Sequence, residues 1–465
     1  MRGPVLQRAR AFSLCVLPAL LLMTGCNPPK DRLATFNRYL EAGDYGGSLT
    51  FAQKQLKPHK QPKGEDLLWS LQAGSVARLL GRHQDSTVCF DRSEEMLGFY
   101  DQQPTIADGL ATTTVNENAL PYRGQEYDGV MVNTYKALNF MAQGKMDLAR
   151  VELNRALDRQ RRAKEKFSKE IQRLGEEIDK KSQGKSLYRS NVDNPKVAEL
   201  LAEKYPNLYA FEAYPDFVNP FATYLAGVFF ASQHDYSKAV DLLKESYGMV
   251  PDNQYIAEDL MAVEKTFEGQ GPLGDTVWVI FENGLGPAKE EFRLDIPLFV
   301  ATEKVLYAGI ALPRLRLRDG AYTNLSVQAD GNTYETRLVA SMERVIQTEF
   351  KKDFDVILQR AIVSATAKVL AQYAFQSDDS PAGTCLAVVM AVYSFTTTAA
   401  DVRIWTTLPK DFQVARFRRP QDGIIEITPA GGQSFEVKVA DCSNAIVYVR
   451  IATKRCSPVC EVIKF

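Results

Sequence analysis

The stretch MVNTYKALNFMAQGKMDLARVELNRAL, residues 131–157, decides how the first half of the chain folds. Apolar residues recur at steps of three and four on both sides of Gly144-Lys145-Met146, the pattern of two helices joined by a tight turn. Ala137, Ala149 and Ala156 are small where the two helices must cross closely. Working outward, segment 220–251 turns at His234-Asp235-Tyr236 and puts Gly227, Ala239 and Ser246 at matching offsets. Segment 67–97 turns at Gly81-Arg82-His83, with Gly74 and Phe90 in place and Ser86 where Ala is expected. Segment 36–56 turns at Gly43-Asp44-Tyr45 and carries Phe36 at a small-residue position. Recurrence of one helical hairpin predicts an α-solenoid over 33–268.

These offsets, with Tyr236 before and Pro251 after Ala239 and Ser246 in the fourth segment, resemble tetratricopeptide repeats in a degenerate, unevenly spaced array. Helical solenoids bind peptides or proteins on a concave face. Asn133, Tyr135, Asn139, Glu152, Asn154, Arg155 and Arg159 on the third repeat are therefore the candidate partner-binding residues. An Asn amide both donates and accepts, so it can clamp a peptide backbone. A charged helical extension follows at about 158–185, with Ala163, Phe167, Ile171, Leu174 and Ile178 as a narrow apolar stripe. It reads as a projecting helix packed on 197–214, either a solvated face or a partner-binding arm.

Gly269-Gln270-Gly271-Pro272-Leu273-Gly274 breaks the helical period. Beyond it, 276–281, 291–296, 305–312, 322–329, 333–340, 412–417, 423–428, 434–440 and 445–452 read as strands. A long helix spans 342–375, and 380–400 carries no charge. That uncharged stretch approaches a membrane span in length but is rich in Ala, Thr and Ser, so burial against 342–375 is expected, with membrane insertion the alternative. The predicted fold is multidomain: all-α tetratricopeptide-like helical hairpin repeats, then an α+β domain at 275–465 with antiparallel strands and a buried helix pair.

The N-terminus supplies an address. Arg2, Arg8 and Arg10 precede an apolar run over 11–23 that ends in Leu22-Met23-Thr24-Gly25-Cys26. This resembles a bacterial lipobox, with Met23 where Leu is usual, and implies a signal peptide over 1–25 and lipid on Cys26. Several acyl chains, at about 0.8 kcal/mol per buried CH₂, hold a protein firmly on a membrane. Asn27, Pro28, Pro29 and Lys30 begin a tether over 26–32. By the sorting rule of Gram-negative lipoproteins, Asn27 in place of Asp implies the outer membrane, facing the periplasm.

Composition narrows the chemistry. With 56 basic and 57 acidic side chains the 465-residue chain lacks the basic excess of a nucleic-acid binder. Beyond Cys15 and Cys26 there remain Cys89, Cys385, Cys442, Cys456 and Cys460; a Cys456–Cys460 disulfide is expected, with Cys442–Cys456 as the alternative pairing. No His lies near these cysteines, so neither a zinc site nor a cofactor is expected. Neither Gly-x-Ser-x-Gly nor His-Glu-x-x-His occurs. Gly184-Lys185-Ser186 lacks the first Gly of a phosphate loop, and Gly284-Leu285-Gly286-Pro287 lacks the third Gly of a dinucleotide loop. His59, His83 and His234 sit near turns and are expected to face solvent. Glu282, Glu290 and Glu291 read as solvated loop charges, a carboxylate pair for glycan hydrolysis being the alternative.

Residues 132–139, 149–156, 278–284 and 400–405 carry a further likeness. Through them the chain resembles an uncharacterised proteobacterial outer-membrane lipoprotein family with a tetratricopeptide-like N-terminal half. Members are often encoded beside an outer-membrane lipoprotein activator of penicillin-binding proteins. The resemblance implies a lipid-anchored periplasmic scaffold that binds envelope proteins through its repeats in cell-envelope assembly, with peptidoglycan as one candidate product. A cell-wall hydrolase and a protein inserting 380–400 into the membrane are the alternatives.

Overall fold

Left-handed backbone closes the helical hairpins. Gly43, Gly81 and Gly144 have φ of 77°, 68° and 70°, and His234 takes the same place at 62°. Such a residue just past a helix end satisfies the last carbonyls and turns the chain, at least cost when it is Gly. The structure, a computed structural model, describes residues 29–56, 63–102, 120–182, 194–205, 214, 219–301, 304–376, 399–440 and 442–465. The signal segment, Cys26, His59, Gly184-Lys185-Ser186, Cys385 and all but the end of 380–400 lie outside them.

The hairpins pair α1 (Pro29–Glu41) with α2 (Tyr45–Gln55), α3 (Asp66–Leu79) with α4 (His83–Gln102), α5 (Glu126–Ala142) with α6 (Met146–Ser182), and α8 (Pro220–Ser232) with α9 (Tyr236–Met249). Between the last two pairs lies α7 (Pro195–Lys204), and α10 (Gln254–Phe267) follows α9. Helix α1 begins inside the expected tether, because proline's fixed φ suits the first turn of a helix. Asn219 and Asn253 cap α8 and α10 by accepting from backbone N–H groups of the first turn. The small residues lie where the sequence placed them. A Cβ on Gly74 would come within 2.7 Å of the Phe90 ring, and one on Gly227 within 2.9 Å of Leu243.

Among the described residues the second half holds three sheets. Strands β1 (Thr276–Asn283), β6 (Arg337–Ser341), β7 (Asp411–Arg418), β10 (Ala445–Ile451) and β11 (Val459–Lys464) form one, in the order β11-β10-β1-β7-β6. Strands β2 (Ala288–Ala301) and β3 (Lys304–Arg316) make a long hairpin. Strands β4 (Leu325–Ala329), β5 (Asn332–Glu335), β8 (Ile424–Pro429) and β9 (Phe435–Lys438) make the third. One helix, α11 (Met342–Gln376), crosses between β6 and β7 and packs on the β2–β3 hairpin.

The antiparallel expectation needs one correction: β1 and β10 run parallel. Both are buried along their whole length, the environment in which parallel pairs occur. Strand β11, α10 and the break within 333–340 are also beyond the sequence reading.

The change from helix to strand falls where expected, yet the two halves share a core. Buried apolar residues from Leu67 to Ile463 form one contiguous cluster. Every residue of α8, and nearly every residue of α3 and α5, is buried. These first helices of the hairpins lie between their outer partners and the second half of the chain. Phe221 of α8 stacks on Phe412 of β7, ring centroids 3.7 Å apart and 2° from parallel. Phe90 and Tyr135 both pack against Trp405, whose indole N–H donates to Ser75 Oγ at 3.0 Å. Asp259 of α10 accepts from Tyr224 (2.7 Å), Trp278 (2.9 Å) and Arg416 (2.9 Å), tying α8, β1 and β7 together.

A carboxylate cluster joins the start of α5 to α11. Glu349 accepts from the backbone N–H of Glu126 at 2.6 Å and of Tyr127 at 3.3 Å, capping the helix. Asp128 Oδ2 accepts from Tyr122 at 2.7 Å and from the Gln125 N–H at 2.9 Å. Burial pushes Asp128 up to about 7, against the opposing pull of those two hydrogen bonds and of Lys289. Burial and the charges of Asp353, Glu126 and Asp128 push Glu349 well above the usual carboxylate range.

Candidate functional site

The seven candidate partner-binding residues divide by burial. Asn133 donates to Glu94 (3.0 Å) and Glu152 (2.6 Å) and accepts from Arg159 (2.8 Å). Lys136, buried beside it, reaches Asp91, Glu94 and Glu152 within 3.0 Å. Arg155 pairs with Glu152 at 3.0 Å. Asn133, Glu152, Arg155 and Arg159 thus belong to one ionic network that binds α4, α5 and α6 to one another. Burial alone would raise Glu94, but the bonds from Asn133 and Lys136 and the charges of Lys136 and Arg159 hold it at about 2. Asn139 accepts from Arg78 at 3.0 Å and donates to Ser86 at 2.9 Å. Tyr135 donates to Glu282 at 2.7 Å. Asn133, Tyr135, Asn139 and Glu152 are buried, so they brace the fold and do not face outward. Asn154, which accepts from Lys238, and Arg155 are exposed on α6, and Arg159 is half-buried.

The expected Cys456–Cys460 disulfide is corrected: Cys456 and Cys460 are both free thiols. Cys456 is buried against Thr453 and the Leu40 carbonyl, while Cys460 already belongs to β11, opposite Val449, and is exposed. The other Cys pairing considered, Cys442–Cys456, is likewise not formed.

The Arg78–Asn139 and Tyr135–Glu282 bonds border a cavity of about 220 Å³ between the α3–α4 turn and β1, β10 and β11. Its floor is Glu282, which accepts from Tyr135 and, at 2.6 Å, from Tyr448. Arg450 lies 3.4 Å from the Glu282 carboxylate, its register partner on β10, and donates to the carbonyls of Glu282, Gly284 and Thr407. At the rim, Arg78 donates to Asn139 and, at 3.1 Å, to Glu461, with its guanidinium 5.0 Å from the centre of the Tyr448 ring. His83 meets the other Glu461 oxygen at 2.7 Å, which corrects the solvent-facing expectation for this residue. Burial would raise Glu461, but His83 and Arg78 hold it below its ordinary value. Burial and the Glu282 charge push Tyr135 and Tyr448 well above theirs, so both stay protonated donors. Cys460, exposed as a residue, also lines the cavity, where partial desolvation and the Glu461 charge push its thiol up to about 11, opposite to the shift an activated nucleophile needs. Thr407 lines it too, and its buried Oγ1 has no partner.

Sequence reasoning placed Glu282 in a solvated loop and passed over Arg450. One signal marked them: TVWVIFEN and AIVYVRI are apolar strands each broken by a single charge, of opposite sign. Glu290 and Glu291, the other carboxylates considered, pair instead with Arg314 and Arg293. Among the described residues no group of His, Cys, Asp and Glu could hold a metal ion, and no helix is long and apolar enough to cross a membrane.

No protein-family profile and no curated protein matches the chain. Among solved structures, a tetratricopeptide repeat protein from Parabacteroides merdae aligns over 50% of this chain and 98% of its own, at 12% identity and a TM-score of 0.14. That likeness is too slight to argue from.

Proposed function

We propose that the protein is a lipid-anchored scaffold on the periplasmic face of the outer membrane, binding envelope proteins through its tetratricopeptide-like repeats. The observation that carries the reading is the exposed face of α6. The inner helices α3, α5 and α8 are covered by the chain's own second half, so the groove that solenoids offer to peptides is filled from within. What faces outward on α6 is a strip of Leu148, Val151, Asn154 and Arg155, apolar and polar side chains on one side of a helix held rigid from behind. The carboxylates considered for a glycan hydrolase are each held by a cation, which favours the scaffold.

The test is in-cell crosslinking of the tagged, lipidated protein beside Cys26→Ser and Asn154→Ala/Arg155→Ala. Envelope proteins captured by the anchored form, and lost from the folded double variant, are the expected result. Undiminished capture by that variant refutes the placement on α6.

A further inference from the structure

The cavity between the second hairpin and the sheet is independent of the α6 face. We propose that it binds a small zwitterionic amino acid, its carboxylate on Arg78 and its ammonium group at Thr407 and the hydroxyls of Tyr135 and Tyr448. Size sets the first limit. At about 220 Å³ the cavity has the room of about seven water molecules, below the usual volume of a site for a drug-sized ligand.

Charge sets the second. Arg78 and Arg450 face Glu282 and Glu461, two cations against two carboxylates. A ligand with net charge would leave one charge uncompensated beside largely buried side chains, which is costly. A zwitterion preserves the balance and matches a wall that carries both signs.

The donors and acceptors then orient it. A guanidinium has five N–H donors. Those of Arg450 are directed to backbone carbonyls and Glu282. Arg78 makes one bond to Asn139 and one to Glu461, which leaves it donors for a second carboxylate. The floor offers acceptors. Both tyrosines donate their protons to Glu282, so their oxygens keep lone pairs. Thr407 is 3% exposed, and its hydroxyl lacks a partner. A buried hydroxyl left so is costly, and an ammonium group satisfies it.

The test is calorimetric titration of the full chain, purified in detergent, with glycine, L-alanine, D-alanine and β-alanine, and with propionate and ethylamine as the separate halves. Thr407→Val removes only the unpartnered hydroxyl at nearly constant shape, and Arg78→Gln removes the proposed carboxylate donor. Saturable binding of at least one amino acid is expected, with each half at least tenfold weaker and each variant, shown folded by circular dichroism, at least tenfold weaker. Absence of binding by all four amino acids overturns the proposal. So does binding that Thr407→Val leaves unchanged, or propionate binding as tightly as alanine.

Discussion

Asp128 should make the protein less stable as pH rises from acid to neutral, and Asp128→Asn should remove that dependence. The side chain is buried where α5 begins, and its folded-state value of about 7 stands above the ordinary carboxylate value. Between about pH 4 and pH 7 the native state therefore holds a proton that the unfolded chain has released. Stability from this group is complete below pH 4 and is lost as pH rises through 7. The slope is about 1.4 kcal/mol per pH unit at its steepest and flattens near pH 7, where the group is half ionised, so the loss between pH 5 and 7 is about 2 kcal/mol. Asn cannot ionise, and its amide oxygen still accepts from Tyr122 and the Gln125 N–H. Glu349, Asp353, Glu126 and Lys289 remain in both proteins and largely cancel in the comparison. Urea unfolding of both, followed by tryptophan fluorescence at pH 5, 6, 7 and 8, measures the difference. The variant should gain on the parent by about 2 kcal/mol between pH 5 and 7 and by little beyond. A stability difference constant across that range would refute the reasoning.

Phe221→Ala should cost about 3–5 kcal/mol and, because the core is shared, lower one common calorimetric transition; a second half that melts unchanged would contradict the shared core. Gly74→Val should cost at least about 1–3 kcal/mol by driving a side chain into Phe90, read as a fall in Tm. Thiol labelling of the native chain, mapped by mass spectrometry, should modify exposed Cys460 and spare buried Cys456 until denaturant is added.

The hairpins were legible because each turn announces itself locally, through Gly43, Gly81 and Gly144, and because Gly74 and Gly227 are small for a reason that lies within one hairpin. The sheet was legible strand by strand but not in its order. The parallel pairing of β1 with β10 joins residues far apart in the chain, and no local pattern encodes it. Strand β11 was hidden because six residues of Val459–Lys464, including Cys460 and Glu461, alternate too weakly at an edge. The candidate site failed for a related reason. Polarity on a helix reads as surface, yet Asn133, Asn139 and Glu152 are polar because another helix brings each of them a partner. Only the three-dimensional pairing distinguishes a buried, satisfied amide from an exposed one.

The covering of α3, α5 and α8 by the second half also fixes an order of events during synthesis. These helices leave the ribosome before β1 and β7, the strands on which Tyr135 and Phe221 find their partners, have been made. Until then a growing chain carries helices that are greasy on two sides, and secondary structure alone gives them no shelter. Contacts spanning so much sequence slow folding and lengthen exposure to aggregation. Such a chain is most exposed to aggregation at the stage when its helices exist and its sheet does not. Truncation before β10 would strand it there, with inner helices displayed to any sticky surface nearby.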